Sequence, residues 1–115
     1  MLTSSDLDAL IADTETEILS VIRLAQDDPT GPLYEMVRYH LGLDEEGEAG
    51  TRGKRLRPLL GLLAYESLTG DHRGALPGAA AVELGHNFSL VHDDIEDRDT
   101  ERRHRATLWA VWGVA

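Results

Sequence analysis

Apolar residues recur three or four positions apart along much of this 115-residue chain, and this spacing limits its fold more than any other feature. In the first segment the recurring residues are Leu7, Leu10, Ile11, Ile18, Val21, Ile22 and Leu24. Thr3 or Ser4 lies just before them, where a hydroxyl can cap a helix N-terminus. Runs of β-branched residues are absent and only 5% of the residues are aromatic, which favours helix over sheet. The sequence therefore predicts an all-α protein.

Proline and glycine divide the sequence into about five predicted helices. The first ends near Asp27 and Asp28, and the others span about residues 33–43, 58–68, 78–97 and 106 onwards. Residues 44–53 are predicted to form an acidic loop, with solvated surface at residues 44–48, and residues 69–77 to form a linker. Trp109 and Trp112 are predicted core or subunit contacts. Because no helix stop follows the last hydrophobic residues, we expect a chain truncated within its fifth helix.

The composition narrows the possible partners and location. Eleven basic and 21 acidic residues give a formal charge of -10, which argues against a general attraction to nucleic acid or an anionic membrane surface. No apolar run reaches the roughly 18 residues of a membrane span, and the N-terminus lacks a secretion signal, so we expect a cytoplasmic protein. Without cysteine, any metal site must use oxygen or imidazole ligands. Two local basic patches, at residues 52–57 and 98–105, indicate small anionic ligands.

The fourth predicted helix ends in an aspartate-rich segment, HDDIED at residues 92–97. At about 100° per residue, Asp93, Asp94 and Asp97 fall within one wedge of the helix. Three such oxygen ligands suit Mg²⁺ bridged to phosphate better than zinc or a redox metal. The opposite flank is apolar and consists of Leu84, Phe88, Val91 and Ile95. Taken alone, the pattern is more often a solvated acidic helix end, and that interpretation stays open.

Other polar side chains of the same helix lie near these aspartates. His86 and Ser89 precede Asp93 by two turns and one turn, so both can face a shared ligand. His92 lies on another side of the helix and is interpreted as structural.

Basic segments flank the helix in sequence. Downstream, Arg102 and Arg103 present planar guanidinium groups that can bind diphosphate oxygens bidentately. Upstream, the segment GKRLRP at residues 53–58 places three cations just before a predicted helix N-terminus, which favours anion binding. By itself, such a basic turn is more often solvated surface.

Taken together, these segments resemble the trans-isoprenyl diphosphate synthase (polyprenyl synthase) family. The resemblance is continuous over residues 53–115 and rests on GKRLRP, ELGHNFSLVH at residues 83–92, DDIED at residues 93–97, and the arginine pair. It implies the N-terminal part of the isoprenoid synthase helical fold. The implied organisation is a single partial domain at residues 1–115, with N-terminal helices and the acidic loop at residues 1–52 and the diphosphate- and Mg²⁺-binding region at residues 53–115.

Carried over by position, the resemblance implies a role for each motif residue. Asp93, Asp94 and Asp97 are the implied catalytic residues and ligands of Mg²⁺ that holds an allylic diphosphate, which Arg102 also binds. The residues implied to bind isopentenyl diphosphate are Lys54, Arg57, His86 and Arg103. The implied reaction is prenyl transfer, in which diphosphate departs, the alkene attacks the allylic cation and a proton is lost. A homodimer is implied as well.

The sequence departs from the family pattern at three positions. Arg52 replaces the first of two usual glycines, and His104 and Ala106 stand where glycine and proline are usual. The family's second aspartate-rich motif does not occur in these 115 residues, so we expect this chain alone to be inactive.

Product length in the family tends to depend on the residues four and five positions before the first aspartate. Here these are Ser89 and Phe88. Ser89 is small and leaves room for a chain longer than farnesyl, whereas Phe88 fits a partial floor or a core position equally well. The predicted product is therefore near C20, geranylgeranyl diphosphate.

Other functions fit parts of the sequence. A class I terpene cyclase of related fold would need the aspartates but no isopentenyl diphosphate site, so the presence of Lys54, Arg57 and His86 argues against it. The sequence also permits a non-catalytic partner subunit or half of a split synthase.

Overall fold

The structure, a computed structural model, describes residues 2–25, 32–44 and 53–114. Its elements are α1 (Ser4–Ala25), α2 (Pro32–Leu41), α3 (Leu56–Thr69), a 3₁₀ helix (His72–Ala75), α4 (Leu76–Asp97), β1 (Glu101–Arg102), β2 (Arg105–Ala106) and α5 (Leu108–Trp112). The predicted all-α class with about five helices is confirmed. Among the described helices, none has the length and apolar character needed to span a membrane.

The described residues group into two compact units. The first unit draws its residues from Met1–Ala25 and Arg55–Leu84, and the second from Gln26–Lys54 and Gly85–Ala115. The first therefore contains α1, α3, the 3₁₀ helix and the start of α4. The second contains α2, the end of α4, the β1–β2 hairpin and α5.

A reciprocal pair of hydrogen bonds caps α1 in the first unit. The Asp6 N–H donates to Thr3 Oγ1 at 3.2 Å, and the Thr3 N–H donates to Asp6 Oδ2 at 2.8 Å. Both groups are backbone donors that the helix itself cannot satisfy, so the cap predicted at Thr3 has a clear physical basis. The buried residues of α1 are Leu10, Thr14, Glu15, Ile18 and Ile22, which recur mainly every fourth position along one side.

The core of the first unit joins α1, α3 and α4. Its buried members are Leu10, Leu62 and Ala79, and the partly buried Leu59, Leu63, Ala75 and Leu76 pack around them. At the end of α3, Gly70 has φ 80° and its N–H donates to Glu66 O at 2.7 Å. This left-handed cap is a conformation that glycine adopts without steric cost. The predicted third helix and its end at Gly70 are therefore confirmed.

The linker predicted at residues 69–77 is wrong because helical structure begins within it. Asp71 caps the 3₁₀ helix by accepting a hydrogen bond from the Arg73 N–H at 3.0 Å. α4 then begins at Leu76, two residues earlier than predicted. Pro77 fits in its first turn, where the missing N–H of proline breaks no helical hydrogen bond.

The second unit holds α2 and α5 together through aromatic contacts. α2 ends at Leu41, earlier than predicted, and Gly42 follows it with φ 72°. The rings of Tyr39 and Trp112 meet edge to face with centroids 5.1 Å apart. Trp109 Nε1 donates to Asp99 O at 2.6 Å. Both tryptophans therefore make contacts inside this unit.

The predicted fifth helix is wrong at both ends. Ala106, its expected start, lies in β2, and α5 spans only Leu108–Trp112. Gly113 follows α5 with φ 84°, so the helix does not continue through the last described residues.

A short hairpin that the sequence did not predict precedes α5. β1 and β2 are antiparallel, and Arg102 pairs with Arg105. The turn between them places Arg103 at φ 52° and His104 at φ 66°. Two left-handed residues in succession are typical of a two-residue hairpin turn. His104 thus adopts a conformation that favours glycine, the residue usual at this position in the family that the sequence resembles.

Candidate active site

Buried polar side chains of α4 contact the arginine pair in the second unit. Asp94 is 2% exposed, and Arg102 donates to both of its carboxylate oxygens over 2.7 to 3.0 Å. Asn87 is 3% exposed, and its Oδ1 accepts a hydrogen bond from Arg103 Nη1 at 3.2 Å. Because Asn87 and Asp94 are seven residues apart, they lie on the same side of α4. The hairpin therefore places both arginines along the side of α4 that carries Asp94.

Arg103 also lies against the basic motif. Gly53 has φ 77°, and a Cβ added to it would lie 2.8 Å from Arg103 Cζ, closer than van der Waals contact allows. The guanidinium group is thus packed on the backbone of Gly53. The glycine that this sequence retains before Lys54 therefore leaves the space that Arg103 occupies.

Asp93 and Asp97 differ from Asp94 because both are exposed. Ligand atoms of Asp93, His92 and Glu96 lie within 4.8 Å of one another. His92, interpreted from the sequence as structural, is 67% exposed, with Nδ1 3.5 Å from Glu96 Oε1. This group includes Asp93 but neither Asp94 nor Asp97, and its two exposed carboxylates, those of Asp93 and Glu96, are of the kind that a hard divalent cation prefers. The wedge of three aspartates thus divides into two accessible carboxylates and one bound to Arg102.

The basic motif divides into exposed and buried cations. Lys54 precedes α3, Arg57 lies in its first turn, and both are exposed. Arg55 is 2% exposed, its Nη1 donates to Glu83 Oε1 at 2.9 Å, and its Nε lies 3.8 Å from Glu15 Oε1. The expectation that three cations face an anion is therefore wrong for Arg55, because two carboxylates hold it inside the first unit.

The expected product-length residues lie on the surface of α4. Ser89 is exposed, and its hydroxyl donates to His86 O at 2.6 Å, while the His86 side chain is partly buried. Phe88 is 78% exposed, so its interpretation as a core residue is wrong. The physical reason is that α4 turns Asn87 and Asp94 inward, which leaves Phe88 on an outer side.

Asp44 and Arg105 form an ion pair that the sequence did not reveal. Asp44 was expected to be solvated, and this is wrong: Arg105 Nη1 and Nη2 donate to its two oxygens at 2.9 Å each. These hydrogen bonds hold the pKa of Asp44 below its ordinary value. The rest of the predicted acidic loop, residues 45–52, lies outside the described residues. The sequence contained one indication of this ion pair, because Arg105 lies in a basic patch but belongs to none of the motifs of the family resemblance.

His40 of α2 is a further site residue that sequence reasoning missed. It lines a small cavity of about 20 Å³ with Arg102, Arg103 and Arg105. The pKa of His40 is lowered to about 4, first by burial and then by the positive charge of Arg103. Asp94 and a hydrogen bond with Asn87 oppose this effect without overcoming it. The imidazole is therefore neutral beside the arginines at physiological pH.

Stability is expected to fall between pH 6.5 and pH 4 because His40 resists protonation. The imidazole titrates near 6.5 when unfolded and near 4 when folded, so the unfolded state binds more protons in this window. Stability is full above pH 6.5 and decreases by up to about 3 kcal/mol as the pH approaches 4. Urea unfolding of the full-length protein should show a weaker pH dependence for His40→Gln than for wild type. Equal dependence in both proteins would contradict the role of His40.

Comparison with known proteins decides the family. The sequence profile of the family described as Polyprenyl synthetase matches residues 46–115, which is more than half of the chain. The chain belongs to the polyprenyl synthetase family. The similarity to isoprenyl diphosphate synthases inferred from the motifs is thereby confirmed.

Relatives of this polyprenyl synthetase chain include two proteins of Mycobacterium tuberculosis. A (2E,6E)-farnesyl diphosphate synthase is 54% identical over 83 residues, which are 70% of this chain and 23% of the relative. A geranylgeranyl diphosphate synthase is 42% identical over 109 residues, which are 92% of this chain and 31% of the relative. The chain therefore spans about a quarter to a third of the length of these relatives.

A solved structure shares the fold. The crystal structure of polyprenyl synthetase from Streptomyces coelicolor A3(2) matches with a TM-score of 0.69 and 42% identity, over 94% of this chain and 33% of that one. The polyprenyl synthetase chain thus has the all-α isoprenoid synthase fold over nearly its whole length, as predicted from the sequence.

Proposed function

We propose that the full-length protein is a prenyltransferase that adds isopentenyl diphosphate to an allylic diphosphate and releases diphosphate. The observation that supports this most is the contact between Arg102 and Asp94, which puts a guanidinium group beside a motif with two exposed carboxylates. Relatives named farnesyl and geranylgeranyl diphosphate synthase support the same class of reaction.

The proposed cofactor is Mg²⁺, held by Asp93, Asp94 and Asp97. The donors fit, because Asp93 and Asp97 offer exposed oxygen ligands of the kind that Mg²⁺ prefers. Mg²⁺ bound there supplies positive charge that stabilises the departing diphosphate. Both carboxylate oxygens of Asp94 accept hydrogen bonds from Arg102. In this proposal Asp94 therefore binds the metal while it remains hydrogen-bonded to that guanidinium group.

The arginines and the basic motif supply the diphosphate contacts in this proposal. Arg102 donates to oxygens of the allylic diphosphate through N–H groups other than those that Asp94 accepts. The residues proposed to bind isopentenyl diphosphate are Lys54, Arg57, His86 and Arg103. They orient its double bond towards the allylic carbon, which lowers the barrier by positioning the reactants.

The chemistry follows from the departure of diphosphate. Breaking the allylic C–O bond leaves an allylic cation, and the cationic side chains stabilise the negative charge that develops on diphosphate. The isopentenyl double bond attacks the cation, which forms the new C–C bond. Loss of one proton then gives the longer prenyl diphosphate without any side-chain nucleophile.

The setting of the reaction is also part of the proposal. We infer a homodimer, as the family resemblance implies, and a cytoplasmic location, as expected from the sequence. Residues 1–115 form a single partial isoprenoid synthase domain, inactive without the rest of the enzyme.

Product analysis of the full-length protein tests the function. With Mg²⁺, geranyl diphosphate and isopentenyl diphosphate, the protein is expected to consume the isopentenyl substrate and release equal amounts of diphosphate. A cyclic hydrocarbon formed while isopentenyl diphosphate remains untouched would identify a class I terpene cyclase instead. Consumption of neither substrate would identify a non-catalytic or split-enzyme subunit.

The Ser89→Phe variant is expected to shorten the product from near C20 towards farnesyl length. Ser89 is a small, exposed residue one turn before Asp93, so a phenyl ring there would close the path of the growing chain. Chromatography of the dephosphorylated products measures the chain length, and Ser89→Ala serves as the control that should match wild type. The same length from wild type and Ser89→Phe would place the floor of the pocket elsewhere.

A further inference from the structure

The β1–β2 hairpin has little stability of its own. Each strand has two residues, and the turn places Arg103 and His104 in the left-handed region, which is strained for both. An isolated two-stranded hairpin is marginal in water even when it is longer. The position of this hairpin must therefore depend on contacts with its surroundings.

Arg105 of β2 forms an ion pair with Asp44, which follows α2 in the chain. Its two terminal nitrogens donate to the two oxygens of Asp44 at 2.9 Å each. Both side chains are largely buried, with 15% of Arg105 and 23% of Asp44 exposed. Paired, charge-assisted hydrogen bonds of this kind fix orientation as well as distance.

Tyr39 of α2 makes three further contacts with the same strand. The Arg105 guanidinium carbon lies 3.8 Å from the centre of the Tyr39 ring, a cation–π contact. The Tyr39 hydroxyl donates to Ala106 O at 2.8 Å. Arg105 Nη1 also donates to Tyr39 O at 3.3 Å. We call Tyr39, Asp44 and Arg105 the hairpin clamp.

By holding Arg105, the hairpin clamp also restricts the positions of Arg102 and Arg103. Arg105 is the register partner of Arg102, and Arg103 is the next residue in the turn. Fixing Arg105 therefore limits where the two guanidinium groups of the arginine pair can lie. None of the three clamp residues has a part in the diphosphate contacts proposed above.

We propose that Tyr39, Asp44 and Arg105 are positioning residues that hold Arg102 and Arg103 in place for diphosphate binding, an inference that rests on the proposed function. A guanidinium group already held in place loses less conformational freedom when the ligand binds. Weakening the clamp should therefore weaken diphosphate binding even though no diphosphate contact is removed.

The test uses Asp44→Asn and Tyr39→Phe in the full-length protein, since each removes one interaction and nearly preserves side-chain volume. Asp71→Asn is the matched control, because Asp71 forms an ion pair with Arg73, 2.7 Å long, on the surface of the first unit. Hydrogen exchange of the Thr107 amide, which donates to Thr100 O at the base of the hairpin, reports hairpin opening. Calorimetry with Mg²⁺ and inorganic diphosphate reports affinity.

Both clamp variants are expected to exchange the Thr107 amide about tenfold faster and to bind Mg²⁺-diphosphate about tenfold more weakly, with Asp71→Asn matching wild type. Unchanged exchange in the clamp variants would show that the clamp does not hold the hairpin. Faster exchange with unchanged affinity would show that it holds the hairpin without serving the ligand, which also overturns the proposal. Failure of the wild-type protein to bind Mg²⁺-diphosphate would contradict both the proposed function and the role of the clamp in ligand binding. Hydrogen exchange of the Thr107 amide would still show whether the clamp holds the hairpin.

Discussion

Replacing Asp93 or Asp97 with alanine is expected to lower kcat by about a thousandfold in the full-length protein. Each change removes an oxygen ligand from the proposed Mg²⁺ site, whose charge stabilises the departing diphosphate. Both side chains are exposed, so the unfolding free energy should change by no more than about 0.5 kcal/mol. Steady-state kinetics and urea unfolding measured on the same preparations separate the two effects.

Asp99→Ala is the control for this pair of variants. Asp99 is an exposed carboxylate two residues after Asp97, and its backbone carbonyl, which the substitution keeps, makes the contacts with Thr107 and Trp109. This control should keep kcat within about threefold of wild type, because it removes the same charge without a proposed ligand. Equal loss in all three variants would mean that the overall negative charge, and no particular ligand, supports turnover.

Arg55→Leu is expected to destabilise the protein by about 3 to 5 kcal/mol, a large share of the stability of a typical domain. The substitution removes a buried guanidinium group from between Glu83 and Glu15, which are 3% and 8% exposed. Two buried carboxylates without that positive charge face a large desolvation cost. Thermal and urea unfolding would measure the loss.

Arg73→Leu gives a matched comparison, because it breaks an ion pair with Asp71 in which Arg73 is 77% exposed. An exposed pair contributes little, so this variant should lose much less stability than Arg55→Leu. Restoring part of the stability with the double change Arg55→Leu and Glu83→Leu would support the buried-charge explanation. A loss in Arg55→Leu no greater than in Arg73→Leu would contradict it.

Local sequence signals predicted those parts of the fold that depend on neighbouring residues. The cap at Thr3 and the stop at Gly70 are each set by hydrogen bonds over three or four residues. The start of α4 was recoverable from Pro77, since proline favours the first turn of a helix. The β1–β2 hairpin could not be predicted from local signals, because its turn is formed by Arg103 and His104 without the Asn-Gly or Asp-Gly pair typical of such turns.

The environment of each candidate site residue depends on contacts between distant segments. Asp93 and Asp94 are adjacent and look equivalent in sequence, yet Asp94 is buried because Arg102 lies against it. Arg55 and Arg57 belong to one basic motif, but Arg55 is buried because Glu83, 28 residues away, binds it. Periodicity shows which residues share a helix side. It does not show which charge from another segment will neutralise them.

Asp93 and Asp97 are the two exposed members of the aspartate set proposed to hold the Mg²⁺ that binds diphosphate. The most direct test is calorimetric titration of inorganic diphosphate into the full-length protein, with and without Mg²⁺, for wild type and for the double variant Asp93→Asn and Asp97→Asn. Wild type is expected to bind diphosphate only with Mg²⁺ present, and the double variant to bind it at least about a hundredfold more weakly. Equal Mg²⁺-dependent affinity in the two proteins would contradict this proposal.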